Sequence, residues 1–358
     1  MADAARRIGV LGVGFGTVVH VPGFRSEGWE VAALWSRRVE RAREKAAELE
    51  IPDVHDNYQD LLKRDDLDAV AVVTPPLTHH EITMAALRAG KHVLCEKPFA
   101  GNAQEADEMR ALAEESGLTA MIAHEFRYAP QRAFIKQLIG DGFIGEFRLA
   151  TMELLFTFPP ERLALGWMSH ASMGGGVLGA IGIHYIDALR HWFGEVGSVS
   201  AQIVRFAPSQ TSSAAGADAP DSDDSFALVL TFQNGGIATM TISAVASPAQ
   251  GARIAIVGSA GSLTASQPGP NPPPDGIVYG GKAGGESLTE LPMPSKYVPL
   301  IDDRDQRLMP FRLLVRDFAR GIDEGTSPAP NFVDGLRGQE ILDAIRSSAE
   351  SGNTISIG

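Results

Sequence analysis

The chain has 358 residues, of which 44% are hydrophobic and 21% are charged, and its formal net charge is −13 at pH 7. This length and composition are typical of a soluble globular protein of about two domains. So acidic a chain lacks the basic footprint of nucleic-acid binders and is disfavoured at anionic lipid surfaces, and no apolar run approaches the roughly 18 residues that span a bilayer.

The N-terminal segment and the cysteine content both indicate a cytoplasmic location. The two arginines near the N-terminus precede a short, glycine-broken run that predicts a strand rather than a signal peptide. The single cysteine, Cys95, excludes an intrachain disulfide and lies in an apolar run, where it is expected to be a small core residue. One cysteine and nine scattered histidines give no zinc spacing, so no metal is expected. We therefore predict a cytoplasmic protein.

The first predicted element is a buried strand over residues 8–13, which leads into a glycine-rich turn over residues 12–17. Glycines at such a turn let a pyrophosphate approach the backbone at a helix N-terminus. The third glycine of the usual dinucleotide spacing would fall at Thr17, so the motif is imperfect. The expected cofactor contacts at this turn are Gly12, Gly14, Phe15 and Gly16.

A second strand is predicted over residues 29–35, and its end reports which dinucleotide binds. An acid there would hold the ribose hydroxyls of NAD, but Ser36, Arg37 and Arg38 stand there, with no acid before Glu40. A hydroxyl and two guanidiniums favour a 2′-phosphate through bidentate hydrogen bonds. In the alternative interpretation, the arginines only begin the solvent-exposed face of a helix over residues 39–49 and bind no ligand. We predict NADP as the preferred cofactor, with NAD as the alternative, and Ser36 and Arg37 as contacts.

The next two strands end in the segments that carry most of the functional prediction. A strand over residues 68–74 ends in Thr74-Pro75-Pro76, and His79 opens the following helix as a cofactor contact or a structural residue. A strand over residues 92–95 runs into Glu96-Lys97-Pro98. Because ligands collect at the carboxyl ends of parallel strands, Lys97 is a cation placed where a ligand is expected. The alternative is a solvated surface lysine.

Strands and helices alternate as far as residue 124, which predicts a doubly wound parallel sheet and a first domain over residues 1–125. Runs of strands without intervening helices follow, with a hairpin turn at Asn234-Gly235-Gly236. They predict a second, α+β domain over residues 126–358 with a large, mainly antiparallel open sheet. Residues 208–224 and 267–285 are expected to be flexible loops.

A helix with a central histidine is predicted after Gly174-Gly175-Gly176. His184, Asp187 and His191 lie near one face of it, and a histidine can accept a proton near neutral pH. Taken by itself, His184 is interpreted as an interior structural histidine.

Taken together, these motifs resemble the glucose-fructose oxidoreductase / inositol dehydrogenase / rhizopine-catabolism (Gfo/Idh/MocA) oxidoreductase family. The resemblance covers nearly the whole chain, and its most specific element is Glu96-Lys97-Pro98. The other motifs that carry it are Gly12-x-Gly14, Thr74-Pro75 with His79, Arg127-Tyr128, Gly175-Gly176, and His184 with Asp187.

The resemblance implies a Rossmann NAD(P) domain and hydride transfer between nicotinamide C4 and a hydroxyl or carbonyl carbon of a sugar, polyol or related small molecule. It implies Lys97 and His184 as catalytic residues beside the same nicotinamide ring, and Glu96 near the nicotinamide ribose. It also implies a homodimer or homotetramer formed through the second sheet. The expected substrate contacts are Lys97, Arg127, Tyr128, Trp167, His170 and His184.

The chain departs from the family at one position. An aspartate is expected four residues before His184, and Ala180 stands there. Three readings stay open: the remaining residues suffice, the substrate differs, or the protein binds cofactor without turnover. The alternatives to a sugar dehydrogenase are therefore a non-catalytic NAD(P)-binding sensor or scaffold, and a reductase or dihydrodiol-type dehydrogenase acting on non-sugar carbonyls.

Overall fold

The structure is a computed structural model that describes residues 5–158, 166–207, 221–272 and 276–358. The chain forms two compact units, one made of residues 1–125 and 302–339 and the other of residues 126–301 and 340–358. Residues 208–220 and 273–275, which belong to the two predicted flexible loops, lie outside the described residues.

The first unit is built on a six-stranded, wholly parallel sheet with the strand order β3-β2-β1-β4-β5-β6. This is the order of a doubly wound dinucleotide-binding sheet, so the predicted fold of this region is confirmed. The strands are β1 (Arg7–Leu11), β2 (Glu30–Trp35), β3 (Asp53–His55), β4 (Ala69–Val72), β5 (His92–Cys95) and β6 (Ala120–Ile122). The helices among them are α1 (Val21–Ser26), α2 (Val39–Glu48), α3 (Tyr58–Leu62), α4 (His79–Arg88) and α5 (Ala103–Ser116).

The central strands of this sheet are mostly apolar, as expected where helices cover both faces of a parallel sheet. Every residue of β4 is buried, as are the last four of β1. Strand β3 was not predicted from the sequence. It has three residues at the edge of the sheet, none of them buried, and so lacks the apolar run that reveals the other strands.

Residues 302–339 return to the first unit, whereas the sequence placed them in the second domain. They contain helix α8 (Leu308–Glu324). Helices α6 and α7 precede it in the chain and belong to the second unit, described below. The ring of Phe318 stacks on Trp29 at 5.9 Å between centroids, and Phe311 packs edge-on against Phe24 at 5.8 Å. The apolar stripe of α8 predicts a buried face but not which sheet it covers.

The second unit contains a nine-stranded sheet with the order β14-β13-β12-β11-β7-β10-β9-β8-β15. Among the described strands of this sheet, only β7 and β10 pair in parallel, so the predicted mainly antiparallel sheet is confirmed. Its strands are β7 (Phe147–Leu155), β8 (Val196–Val204), β9 (Ser225–Phe232), β10 (Ile237–Ser243), β11 (Gly251–Gly258), β12 (Gly261–Gln267), β13 (Val278–Lys282), β14 (Thr289–Leu291) and β15 (Ile355–Ser356). Its helices are α6 (Pro130–Gly140), α7 (Ile183–Phe193) and the end of α9 (Phe332–Ser351).

Two sequence predictions for this sheet have different outcomes. The hairpin at Asn234-Gly235-Gly236 is confirmed, because β9 and β10 pair in antiparallel across it and the Phe232 amide donates to the Gly236 carbonyl at 2.8 Å. The prediction that residues 267–285 form one flexible loop is wrong in part, because residues 278–282 are β13, paired with β12 and β14.

The strands of the second sheet alternate between a buried and an exposed face. Along β9, Phe226, Leu228, Leu230 and Phe232 are buried, while Val229 is 41% exposed. Leu149 and Ile237, also on neighbouring strands, are each 41% exposed. One face of the sheet therefore packs into the unit's core and the other carries partly exposed apolar residues.

None of the helices in the described ranges has the length and apolar content needed to cross a membrane.

Candidate functional site

The glycine turn after β1 is shaped by two close approaches. Gly12 has φ +128°, and a Cβ there would lie 2.1 Å from the carbonyl oxygen of Val73. Gly14 is exposed, and a Cβ there would meet nothing within 4 Å. Only glycine fits at position 12, and the open backbone at Gly14 gives a phosphate room to approach the helical turn Gly16–His20.

Thr17, at the position of the third glycine, is accommodated by its own hydrogen bonds. Its hydroxyl donates to the carbonyl of Val13 at 2.8 Å and lies 3.3 Å from the carbonyl of Gly14. The threonine thus ties down the turn that a third glycine would leave free. The residues present fit a dinucleotide pyrophosphate at this turn.

At the end of β2, positive charge stands where an acid would bind ribose. The Ser36 hydroxyl accepts the Arg38 amide at 3.2 Å, which turns the chain into α2. Arg37 and Arg38 are exposed, and no ion pair or side-chain hydrogen bond links either guanidinium to another described residue. Both cations remain available to an anionic ligand.

The loops after β4 and β5 are joined by His79. Its Nδ1 lies 2.9 Å from the carbonyl oxygen of Pro98, and its Nε2 lies 2.8 Å from that of Thr74. Its side chain is fully buried, and this burial lowers the pKa of the imidazole below its ordinary value. His79 thus links the two loops that carry Thr74, Pro75 and Lys97, and both of its ring nitrogens contact backbone carbonyl oxygens.

Glu96, at the end of β5, is a buried carboxylate held from two sides. Its Oε1 lies 2.9 Å from Nε2 of His20, and its Oε2 accepts the Lys97 amide at 3.1 Å and lies 4.0 Å from the Lys97 ammonium. Burial raises the pKa of Glu96, but the hydrogen bond from His20 and the charge of Lys97 outweigh it, so that the pKa is lowered. Glu96 is therefore an anion beside Lys97.

Three residues that the sequence analysis missed complete this cluster: His20, Glu125 and Arg307. The His20 ring is fully buried and packs 4.4 Å from the ring of Phe311, and the Arg307 guanidinium lies 5.1 Å from the ring of Phe15 in the glycine turn. Glu125 had a readable signal, since it follows a predicted parallel strand as Glu96 does. Arg307 had none, because it reaches the cluster only when residues 302–339 fold back.

In the second unit, His184 lies on helix α7 and contacts an aromatic and a cationic residue. Its ring stacks on Phe126 at 3.9 Å between centroids, and its carbonyl accepts a hydrogen bond from Arg132 at 3.0 Å. Arg132 also lies over the rings of Phe126 and Tyr185, at 5.0 and 4.3 Å. These contacts fix the orientation of the imidazole.

The glycines before this helix make room for the chain itself. A Cβ at Gly175 would lie 2.4 Å from the carbonyl of Trp167 and 2.6 Å from that of His170. A Cβ at Gly176, which has φ +110°, would lie 1.8 Å from the carboxylate of Asp223. The glycines therefore let the segment that carries Trp167 and His170 lie against the start of the helix.

Asp223 places an acid near Ala180, the position at which the resemblance implies an aspartate. Its Oδ2 accepts the Leu178 amide at 2.8 Å, and its carbonyl accepts the Val177 amide at 3.1 Å. Burial raises the pKa of its carboxyl to about 6. Ala180 donates its amide to Gly176, so the acid lies about one turn before Ala180. Sequence reasoning missed Asp223, since it lies in a stretch predicted to be a flexible loop.

The predicted site residues fall into two groups. The first unit contains the expected cofactor contacts Gly12, Gly14, Phe15, Gly16, Ser36, Arg37, Thr74, Pro75, His79, Glu96 and Lys97. The second contains Arg127, Tyr128, Trp167, His170 and His184. No group of three or more His, Cys, Asp or Glu residues in the described ranges is arranged to hold a metal ion.

Comparison with family models identifies both halves of the chain. Residues 6–124 match the model described as an oxidoreductase family, NAD-binding Rossmann fold, and residues 136–357 match that of the same family's C-terminal alpha/beta domain. The match confirms the predicted cofactor class, a nicotinamide dinucleotide.

Individual relatives match from about two thirds of the chain to nearly all of it. An uncharacterized oxidoreductase of Synechocystis sp. is 27% identical over 98% of this chain and 95% of its own length. A levoglucosan dehydrogenase of Pseudarthrobacter phenanthrenivorans is 29% identical over 65% of this chain and 66% of its own. The crystal structure of an oxidoreductase domain protein from Kribbella flavida superposes with a TM-score of 0.87 at 28% identity, covering 99% of both chains.

Proposed function

Because the chain belongs to the Gfo/Idh/MocA oxidoreductase family, which binds NAD through a Rossmann domain, we propose that it transfers a hydride between nicotinamide C4 and a carbinol or carbonyl carbon of a sugar, polyol or related small molecule. The observation that carries the proposal is the buried Glu96 carboxylate, which holds Lys97 at the same sheet edge as the glycine turn. The relationship to a levoglucosan dehydrogenase supports a sugar-like substrate.

Hydride transfer from a carbinol carbon requires a proton to leave the attached oxygen, and a positioned base speeds such a step by roughly a hundred- to ten-thousandfold. We assign Lys97 to orienting the reacting hydroxyl and His184 to accepting or donating the proton. Further substrate contacts are assigned to Tyr128, Trp167 and His170, with Arg127 anchored by its ion pair to Asp187. NADP or NAD supplies the hydride-accepting ring, and the chain supplies orientation and proton transfer.

NADP is the proposed cofactor, in preference to NAD. Arg37 and Arg38 are exposed at the end of β2, beside Ser36, and no acid stands there to hold ribose hydroxyls. A phosphate dianion gains charge-assisted hydrogen bonds from guanidiniums that NAD cannot use.

The proposal is tested by mixing the protein with NADP+ and a panel of sugars, anhydrosugars and polyols and following reduced-cofactor absorbance. A second panel pairs NADPH with sugar-derived ketones, aldehydes and non-sugar carbonyls, because the direction of the reaction is also open. Reduction or oxidation with a sugar-like compound supports the proposal. Cofactor binding without turnover across both panels would favour a non-catalytic sensor, the alternative that Ala180 keeps open.

We also propose that the chain forms a homodimer or homotetramer through the exposed face of the second sheet. The support is the row of partly exposed apolar residues there, among them Leu149, Val229 and Ile237. Light scattering of the wild type and of Val229→Glu tests this, since a charge on the buried interface would dissociate the oligomer.

A further inference from the structure

Two carboxyl groups lie at the ends of neighbouring parallel strands in the first unit. Cys95 of β5 pairs with Ile122 of β6, and the Ala123 amide donates to the Cys95 carbonyl at 2.8 Å. Glu96 directly follows the first strand, and Glu125 follows the second by three residues. Their exposures are only 5% and 1%, so both acids are buried where two neighbouring strands end at one edge of the sheet.

The two acids are not equivalent in their partners. Glu96 has His20 at 2.9 Å and Lys97 at 4.0 Å, both of which favour its ionised form. Oε2 of Glu125 is buried and has no hydrogen-bond partner among the described residues. An unsatisfied buried oxygen makes the ionised form of this carboxyl costly, whereas the neutral form is tolerated.

The electrostatics agree with this asymmetry. Burial first, and then the charge of Glu96, raise the pKa of Glu125 to about 8, while the charges of Lys97 and Arg307 oppose the shift. The pKa of Glu96 is lowered. Two like charges in one buried site rarely ionise together, so at neutral pH one acid is an anion and the other keeps its proton.

The titratable groups around the pair come from every neighbouring element. In the first unit, His20 ends the helical turn after β1, Lys97 follows β5, and His79 begins α4. His124 follows β6, and Arg307, with its partner Asp305, lies just before α8. Of the two acids, only Glu125 changes charge between pH 7 and 9 on these shifts.

The position of the pair on the sheet indicates which part of a cofactor lies near it. In this strand order a dinucleotide crosses the carboxyl edge, with its pyrophosphate at the glycine turn after β1 and one nucleoside on each side. The adenosine side is marked by Ser36 and Arg37 after β2. The nicotinamide side is therefore that of β4, β5 and β6, where Glu96 and Glu125 lie.

We propose that Glu96 and Glu125 form a buried acid pair on the nicotinamide side of the cofactor site, that the pair shares one proton at neutral pH, and that loss of this proton makes the site prefer the oxidised cofactor. The physical basis is simple charge. The nicotinamide ring carries a positive charge when oxidised and none when reduced, so a second buried anion attracts only the oxidised form. The inference rests on the proposed function for the presence of a nicotinamide cofactor.

Linkage gives a second, reciprocal consequence. If ionised Glu125 favours the oxidised cofactor, then binding of the oxidised cofactor favours ionised Glu125 by the same free energy. Binding of NADP+ near pH 8 should therefore release a fraction of a proton from the pair, and binding of NADPH should not.

The test measures the dissociation constants of NADP+ and NADPH on the full-length protein, by titration calorimetry from pH 6.5 to 9.5. The ratio of the NADPH constant to the NADP+ constant cancels ionisation of the 2′-phosphate, which both cofactors share. In the wild type this ratio should rise at least about threefold across the range, as expected for one added charge in a buried site. In Glu125→Gln, which keeps the shape of the neutral acid, it should stay constant.

Glu115→Gln is the matched control, because it removes an exposed glutamate of the same unit. It should behave as the wild type does. A ratio that is independent of pH in the wild type, or that changes equally in the wild type and Glu125→Gln, would overturn the inference while leaving the proposed function intact. Failure to bind either cofactor would overturn both.

A measurement that needs no cofactor guards against a misfolded variant. Infrared spectroscopy of the wild type should show the carbonyl band of a buried protonated carboxyl that disappears as the pH rises through about 8. Absence of any such band at pH 7 would mean that Glu125 holds no proton, and the inference would fall.

Discussion

The guanidinium of Arg127 donates two hydrogen bonds to the carboxylate of Asp187, from Nε to Oδ2 at 2.8 Å and from Nη2 to Oδ1 at 2.6 Å. Both side chains are almost fully buried, at 6% and 4% exposure. Asp187 lies one turn beyond His184 on α7. Because its carboxylate is paired with Arg127, we interpret Asp187 as a structural residue rather than as a proton-transfer group.

Asp187→Asn should therefore destabilise the protein strongly. Replacing the carboxylate by an amide breaks a buried ion pair, at a cost of about 3–5 kcal/mol. Thermal unfolding should show a midpoint lowered by roughly 5–15 °C. Asp107→Asn, which breaks an exposed pair with Arg110, is the control and should change the midpoint little. Equal effects of both variants would contradict the structural role of Asp187.

Lys97→Ala should lower turnover at least about tenfold while cofactor affinity stays within a few-fold, because the ammonium is proposed to act on the reacting hydroxyl. Steady-state kinetics with the substrate found in the panel, together with cofactor titration, separate the two effects. Lys63→Ala removes an exposed lysine of the same unit and should leave both unchanged. Unchanged turnover in Lys97→Ala would remove Lys97 from the mechanism.

His184→Asn should lower kcat by roughly a hundredfold or more, because the variant cannot exchange a proton with the substrate oxygen. It should also remove the limb of the pH–rate profile that the imidazole produces. His191→Asn, two turns further along α7, is the matched control. If the pH profile of His184→Asn keeps the wild-type shape, the acid/base role belongs to another group, and Asp223 is the first to examine.

Arg37→Ala should weaken binding of NADP+ by about tenfold and leave NAD+ binding nearly unchanged, since only NADP carries the 2′-phosphate that the guanidinium would contact. Fluorescence titration of both cofactors measures the change in preference. Arg41→Ala, which removes another exposed arginine from α2, should keep the wild-type preference. A loss of affinity shared equally by both cofactors would argue against phosphate recognition at Arg37.

Glu125→Gln should stabilise the protein more at high pH than at low pH. The pKa of Glu125 is raised from 4.5 to about 8 in the folded chain. Between these values the folded state binds more protons than the unfolded state, so the free energy of unfolding contributed by this group falls as the pH rises through that window. The neutral amide escapes this loss. The gain in melting temperature over wild type should be larger at pH 9 than at pH 6, and Glu115→Gln should show no such trend.

Much of the architecture could be predicted because it depends on local patterns. The strand over residues 92–95 has the predicted bounds. The strands that were missed, β3 and β12 to β15, are short or rich in glycine and small polar residues. Such strands form because a neighbouring strand offers backbone partners, and no apolar run announces them.

The site was predictable only in part, for a related reason. Glycines, prolines and charged residues at strand ends mark the cofactor edge in one dimension, and they pointed to Gly12, Gly14, Ser36 and Lys97. The residues that surround Glu96 come from distant parts of the chain, His20 from the glycine turn and Arg307 from the returning segment. Their role depends on distances that residue order does not encode.

The sequence by itself determined the doubly wound first sheet and the antiparallel second sheet, since periodicity and turn residues express these locally, and its motifs carried the resemblance to a family that implies a dinucleotide cofactor. Only the tertiary structure decided that residues 302–339 join the first unit, that Asp187 is spent on Arg127, and that Glu125 is buried beside Glu96. Burial and proximity decide whether a carboxyl keeps its proton, because desolvation and neighbouring charge act through space and not along the chain.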